Sequence, residues 1–234
     1  MAPPERLRLP LTQPQALPDT TALLWPADGD RLGLVLGHGA GAQAAQPALG
    51  RIAAGLAGRG HPVLAFNFAY REAGRRLPDP AARLESAFRD AVARSGALLG
   101  RPLVLGGRSL GGRIASHLAA QGEPCAGLVL LCYPLHPSGR PERLRTAQWP
   151  ALRVPTLFLQ GDRDSLCDLE LLERERRRLL TRAESRLHLL AGADHDLVVR
   201  GRPQELVLDE VVAVVAGWLQ ELAPGSEASL ADRE

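Results

Sequence analysis

The chain has no lysine, no methionine beyond Met1, and only two isoleucines, Ile52 and Ile114. All 28 of its basic residues are therefore arginine. Such a skew is the mark of a GC-rich genome, and it lowers the information in any single arginine, because lysine was never the competing choice. Charge of one sign is also missing: 28 basic residues against 26 acidic ones leave a net charge of +2, which gives no footprint for nucleic acid. Only three cysteines occur, Cys125, Cys132 and Cys167, too few for a disulfide framework and in no zinc-ligand spacing. No run approaches the roughly 18–20 apolar residues that span a bilayer. The N-terminal MAPPERLRLPLTQPQALP has no apolar core of signal-peptide length. The expectation is a cytoplasmic protein with reduced thiols, no membrane partner and no nucleic-acid partner.

What is present is ordinary for a folded chain: 234 residues, 45% hydrophobic and 23% charged, enough to bury a sizeable core. Short apolar runs at 22–25, 32–36, 63–66, 103–105, 127–132, 156–159 and 186–190 have strand length. Several do not alternate, as expected for strands covered on both faces of a parallel sheet. Between them, 46–58, 81–99, 110–120, 169–180 and 204–222 show helical spacing, with Asp79-Pro80 reading as an N-cap and first-turn proline before 81–99. Strand and helix alternate throughout, which predicts a doubly wound, mostly parallel α/β sheet in a single domain over 1–234. The ends, 1–20 and 223–234, are expected to be loosely ordered, the first with an edge strand as the alternative.

The segment LVLGGRSLGG places Gly107-Arg108-Ser109-Leu110-Gly111, a G-x-S-x-G pattern, between a buried strand and a helix. There a serine sits on a sharp turn, and glycines on either side let the backbones pass closely. A serine nucleophile needs a base and an orienting acid, in the order Ser, Asp/Glu, His for this topology. QGDRDSLCD, after the strand at 156–159, offers Asp162, Asp164 and Asp168, and AGADHDL offers His195. Each follows the carboxyl end of its strand, where open α/β sheets place their sites. Asp194 and Asp196 flank the histidine too closely to reach back to its ring, and Asp162 sits where it would bond backbone N–H groups. Asp164, two residues further into the loop, is the expected acid. Oxyanion stabilisation needs two aimed N–H donors: one from Leu110, after the serine, and one from Gly37-His38-Gly39-Ala40-Gly41, with Ala40 expected and Gly41 as its neighbouring alternative.

LGHGAGA (36–42), FNFAYREAGRRLPD (66–79), GGRSLGGR (106–113), CYPLHPSGRPERLR (132–145), VPTLFLQGDRD (154–164) and GADHDL (192–197) together resemble the α/β-hydrolase superfamily. More narrowly, the chain looks like the dienelactone-hydrolase-like branch of small hydrolases, related to the testis-expressed-30 proteins and the hydrolase-like domain of a chromatin-complex subunit. The resemblance implies an α/β-hydrolase fold and places the acid at the end of G-x-x-D, Asp164. The stretch from 133 to 153 has room for a helical turn or two, so little or no lid is expected.

The resulting expectation is a serine hydrolase cleaving an ester or related acyl bond of a small soluble substrate, with Ser109, His195 and Asp164 catalytic and Ala40 and Leu110 as oxyanion donors. It needs no metal and no organic cofactor. The alternative is an α/β-hydrolase-fold binding or scaffold module. Candidate pocket residues are His38, Tyr70, Tyr133 and His136, walling a shallow site for short acyl groups. His61, His117 and His188 read as structural. Arg71, Arg75, Arg76, Arg140 and Arg163 fall in loops near the active edge, where an anionic substrate could meet them, but a solvated arginine surface is the favoured reading.

Overall fold

Leucine, valine and alanine fill the runs at 34–36, 63–65, 103–105 and 128–131, leaving no polar face for solvent. A computed structural model, describing residues 3–12 and 17–222, buries every residue of these runs inside one sheet. Its strands are β1 (Glu5–Pro10), β2 (Asp19–Trp25), β3 (Gly33–Gly37), β4 (Val63–Phe66), β5 (Leu103–Arg108), β6 (Gly127–Leu131), β7 (Thr156–Gly161) and β8 (Ser185–Leu190). They lie in the order β1-β2-β4-β3-β5-β6-β7-β8. β1 and β2, and β2 and β4, pair antiparallel; every other neighbour is parallel.

Helices cover both faces, as the alternation of patterns requires. α1 (Pro47–Ala57) and α6 (Gln204–Leu222) close one core, around Ile52, Leu56, Val211 and Val215. α3 (Ala81–Leu99), α4 (Leu110–Ala120) and α5 (Leu169–Leu179) close the other. In α3 the buried residues Leu84, Ala87, Phe88, Ala91, Val92 and Ser95 recur at three and four, one apolar stripe. The helix stops at Gly100, whose φ of 58° suits glycine. Phe66, Phe68 and Phe88 meet edge to face, with centroids 5.1 Å apart for two of the pairs, each such pair adding about 0.5–1.5 kcal/mol beyond burial.

Two expectations need correction. Residues 5–10 are an ordered edge strand: Leu9 anchors it in the core, while Arg8 pairs with Asp19 and with Glu72 of α2 (Ala69–Glu72). Charged outward residues and a terminal proline are how edge strands avoid further pairing, and they hid the strand from the hydrophobic pattern. Asp79 does not cap α3; Pro80 holds that position, and the buried Asp79 carboxylate bonds Arg75 at 2.8 Å instead. α2 itself is too short for its periodicity to register. The tail 223–234 lies outside the described residues. Between β6 and β7 the chain forms loops and one 3₁₀ turn, Trp149–Ala151, and no lid covers the sheet edge among the described residues.

Strand order reverses direction at β3 and β5. Chains leaving their carboxyl ends diverge and open a crevice, the standard place for a ligand in such sheets.

Candidate active site

Ser109 connects β5 to α4 in that crevice, with φ +51°, a conformation L-residues adopt at a cost of about 1–3 kcal/mol. Neighbouring contacts over-determine it. Its N–H donates to Leu131 O at 2.8 Å, and its carbonyl accepts from Arg113 N at 3.0 Å. The flanking glycines are demanded by sterics: a Cβ on Gly107 would lie 2.2 Å from Gly37 O, and one on Gly111 2.0 Å from the same atom. β3, β5 and α4 therefore touch backbone to backbone beneath the serine.

His195 follows β8 on a loop shaped by Asp194, whose Oδ1 accepts from Asp196 N at 2.9 Å and Val198 N at 3.0 Å. Its Nε2 accepts from Ser109 Oγ at 2.9 Å, and its Nδ1 donates to Asp164 Oδ2 at 2.7 Å. Asp164 is buried in the loop after β7, where Gln160 Nε2 donates to Oδ2 at 2.7 Å and Leu166 N to Oδ1 at 2.8 Å. The other carboxylates are engaged elsewhere. Asp162 accepts from Gly192 N at 2.7 Å, Asp168 caps α5 through Leu171 N at 2.9 Å, and Asp196 pairs with Arg108. Serine, imidazole and carboxylate thus form one continuous chain of hydrogen bonds.

Ala40 and Leu110 line the same cleft as Ser109. Leu110 opens α4, so its N–H is one of the helix's orphan donors. Among the described residues no hydrogen bond uses Ala40 N–H. Gly41, the alternative donor, gives its N–H to Tyr70 Oη at 3.2 Å. Cysteine does not compete for the nucleophile's part: burial pushes Cys132 up to about 12 and raises Cys167, with Asp164 adding to both. Among the described residues no group of three His, Cys, Asp or Glu side chains is placed to hold a metal.

The four candidate pocket residues stand behind the cleft, not on its wall. His38 is fully buried; its Nδ1–H donates to Gly39 O at 2.7 Å and its Nε2 accepts from Phe68 N at 3.1 Å. Burial lowers its pKa to about 4, so the ring is a neutral brace for the loop carrying Ala40. Tyr70 holds the next residue of that loop. Tyr133 Oη donates to Arg145 O at 2.6 Å, and His136 Nε2 accepts from Asp168 N at 3.0 Å. Each satisfies backbone groups that the loops would otherwise leave unpaired. Of the loop arginines, Arg71 bonds Ala42 O and Arg75 pairs with Asp79, while Arg76, Arg140 and Arg163 face solvent. His61, His117 and His188 bond Leu32 O, Glu85 and Glu210, far from the serine in the fold.

Sequence reasoning missed Arg108. It is buried directly before the serine, and its Nη2 donates to His195 O at 2.8 Å and pairs with Asp196, tying the elbow to the histidine loop. The variable position of G-x-S-x-G carries no signal for this in a chain so rich in arginine. The cleft has a volume of about 400 Å³, at the small end of the ~300–1,000 Å³ common for ligand sites. Two arginines line it, Arg113 and Arg145.

A strained serine between strand and helix, with a histidine and a carboxylate delivered from two later strand ends, defines the α/β-hydrolase class. The chain belongs to the alpha/beta hydrolase domain family, whose model matches residues 17–220. Among solved structures it is similar to an alpha-beta serine hydrolase homologue from Coxiella burnetii, with TM-score 0.73 and 16% identity over 94% of this chain and 99% of that one. A dienelactone hydrolase from Anabaena variabilis gives TM-score 0.71 and 20% identity over 94% and 99%. A cold-adapted esterase from an Arctic intertidal metagenomic library gives 0.68 and 17% over 92% and 93%. At these identities the likeness is one of fold. No helix among the described residues is long and apolar enough to cross a membrane.

Proposed function

We propose that the protein is a serine hydrolase acting on an ester or related acyl bond of a small substrate. Ser109 Oγ attacks the carbonyl as His195 Nε2 takes its proton, and Asp164 holds the imidazole in the tautomer that accepts there. The tetrahedral oxyanion is met by the N–H groups of Leu110 and Ala40. Its collapse expels the alcohol, which leaves with the proton returned by His195. Water, deprotonated by the same ring, then cleaves the acyl-enzyme and regenerates Ser109. Nucleophile, base and donors are all groups of the chain, so this route requires no metal or organic cofactor.

The observation that carries this reading is the unbroken Ser109–His195–Asp164 hydrogen-bond chain opening on a cleft. A binding module would have no need of a serine held in a strained conformation against a histidine base. The open, small cleft favours short acyl groups, since each further buried CH₂ contributes only about 0.8 kcal/mol and few can be buried. Rates on 4-nitrophenyl esters of increasing chain length test this. Turnover should peak at short chains and vanish in Ser109→Ala. A rate climbing steadily to palmitate, or surviving in Ser109→Ala, would contradict it.

A further inference from the structure

Arg113 lies one turn along α4 from Ser109, and side chains four apart share a helix face. Both line the cleft. Arg145 reaches the same cleft from the segment after β6, on backbone fixed by its own N–H to Leu135 O at 2.8 Å and by Tyr133 Oη on its carbonyl. Two cations from different elements thus share one small cavity. Burial and the charge of Arg113 both lower the pKa of Arg145.

Like charges held together in a partly dry cleft repel, and here nothing among the described residues neutralises them. No carboxylate among the described residues pairs with either guanidinium, and Arg145 Nη1 has only Pro134 O, at 3.3 Å. The carboxylate that lines the cleft, Asp79, already has Arg75 at 2.8 Å and Arg83 at 4.0 Å. Exposed arginines such as Arg76 and Arg140 are solvated and need no partner. Arg113 is different: its Nε is buried with no hydrogen-bond acceptor among the described residues. Buried donors in native proteins are nearly always paired, and an orphan beside a nucleophile points to a missing partner.

We propose that Arg113 and Arg145 form an anion-binding subsite, which takes the carboxylate or phosphate of a small ester whose scissile carbonyl lies at Ser109. Guanidinium forks match both groups bidentately. The anion would sit about one helical turn from the reacting carbon, so it belongs to the substrate itself and not to the developing oxyanion. This inference rests on Ser109 being the nucleophile, and its test separates the two.

The test compares kcat/KM for mono-4-nitrophenyl adipate with that for 4-nitrophenyl hexanoate, acyl chains of equal length with and without a terminal carboxylate. Wild-type protein should prefer the charged ester by about tenfold or more. The ratio should fall toward one in Arg113→Gln and recover in part in Arg113→Lys. Turnover of hexanoate with no preference for the adipate half-ester would overturn the subsite while leaving the hydrolase reading intact. If neither ester is hydrolysed, the reading of Ser109 fails, and calorimetry on the same protein decides the subsite alone. There, adipate or inorganic phosphate should bind wild type and bind at least about tenfold more weakly to Arg113→Gln; phosphate binding alone would assign a phosphoryl group, and binding of neither anion would overturn the subsite. Should Arg113→Gln fail to fold, Arg145→Gln replaces it with the same expected ratio.

Discussion

The two flanks of the cleft are built from the same materials to different ends. On one side, the loop at 38–44 after β3 is braced by residues 67–71: His38 against Phe68, Gly41 on Tyr70, Ala44 on Asn67, Ala42 on Arg71. On the other, residues 133–148 after β6 are braced by Tyr133, Gln148 and His136. Each flank uses a buried tyrosine to hold main chain. The first carries Ala40, whose N–H has no partner among the described residues, and the second carries Arg145; both residues line the cleft. Under the proposed function this is a division of labour, in which the first flank aims the chemistry and the second chooses what reaches it.

The largest effect expected comes from the relay both flanks surround. Asp164→Asn should retain the fold and lose activity on the order of 10⁴-fold, while Asp162→Asn stays close to wild type, because an asparagine oxygen still accepts from Gly192 N. The reverse result in steady-state rates would reassign the acid. Next, the two tyrosines should separate kinetically. Tyr70→Phe unties Gly41 beside Ala40 and should lower kcat about tenfold with KM little changed. Tyr133→Phe unties the carbonyl of Arg145 and should act chiefly on KM for anionic esters. Equal kcat losses from both would erase the proposed division.

A smaller effect concerns acid stability, and it belongs to the first flank. The folded pKa of His38, about 4, lies below the unfolded value of 6.5, so the unfolded chain binds the proton first. Stability from this ring is complete above pH 6.5 and is lost as pH falls toward 4, by up to ~3 kcal/mol. Glu72 adds a lower window. Burial opposes its charge, but hydrogen bonds from Asn67, Arg8 and Thr21 hold its pKa at about 2, so its contribution, complete above about 4.5, drains between there and 2. Urea midpoints across pH should fall in these two stages. His38→Gln should remove the upper stage; a wild-type-like slope in that variant would contradict the assignment.

Much of this architecture was legible because it rests on periodicity and backbone sterics. The helices at 81–99, 110–120 and 204–222 have the bounds their spacing predicts, and the glycines around Ser109 announce the close approach that Gly37 explains. Asp164 stands apart from its neighbours by its place in the loop and by the G-x-x-D pattern, and it is the carboxylate that accepts from His195 Nδ1. Side-chain direction was not legible. His38, Tyr133 and His136, in loops, and Tyr70, in the short helix α2, turn inward because neighbouring N–H and C=O groups need partners there. Arg113 escaped notice for the converse reason: it sits inside a helix, and only packing decides that its face opens on the cleft. Arg108 required a contact spanning 87 residues.

Ser109 is proposed as an activated nucleophile, and a fluorophosphonate probe reads that property without any assumption about substrate. Folded wild-type protein should gain one covalent adduct on Ser109, labelling should disappear in Ser109→Ala, and Asp164→Asn should label far more slowly. Folded protein that does not label, or Ser109→Ala that labels as well as wild type, would contradict the account.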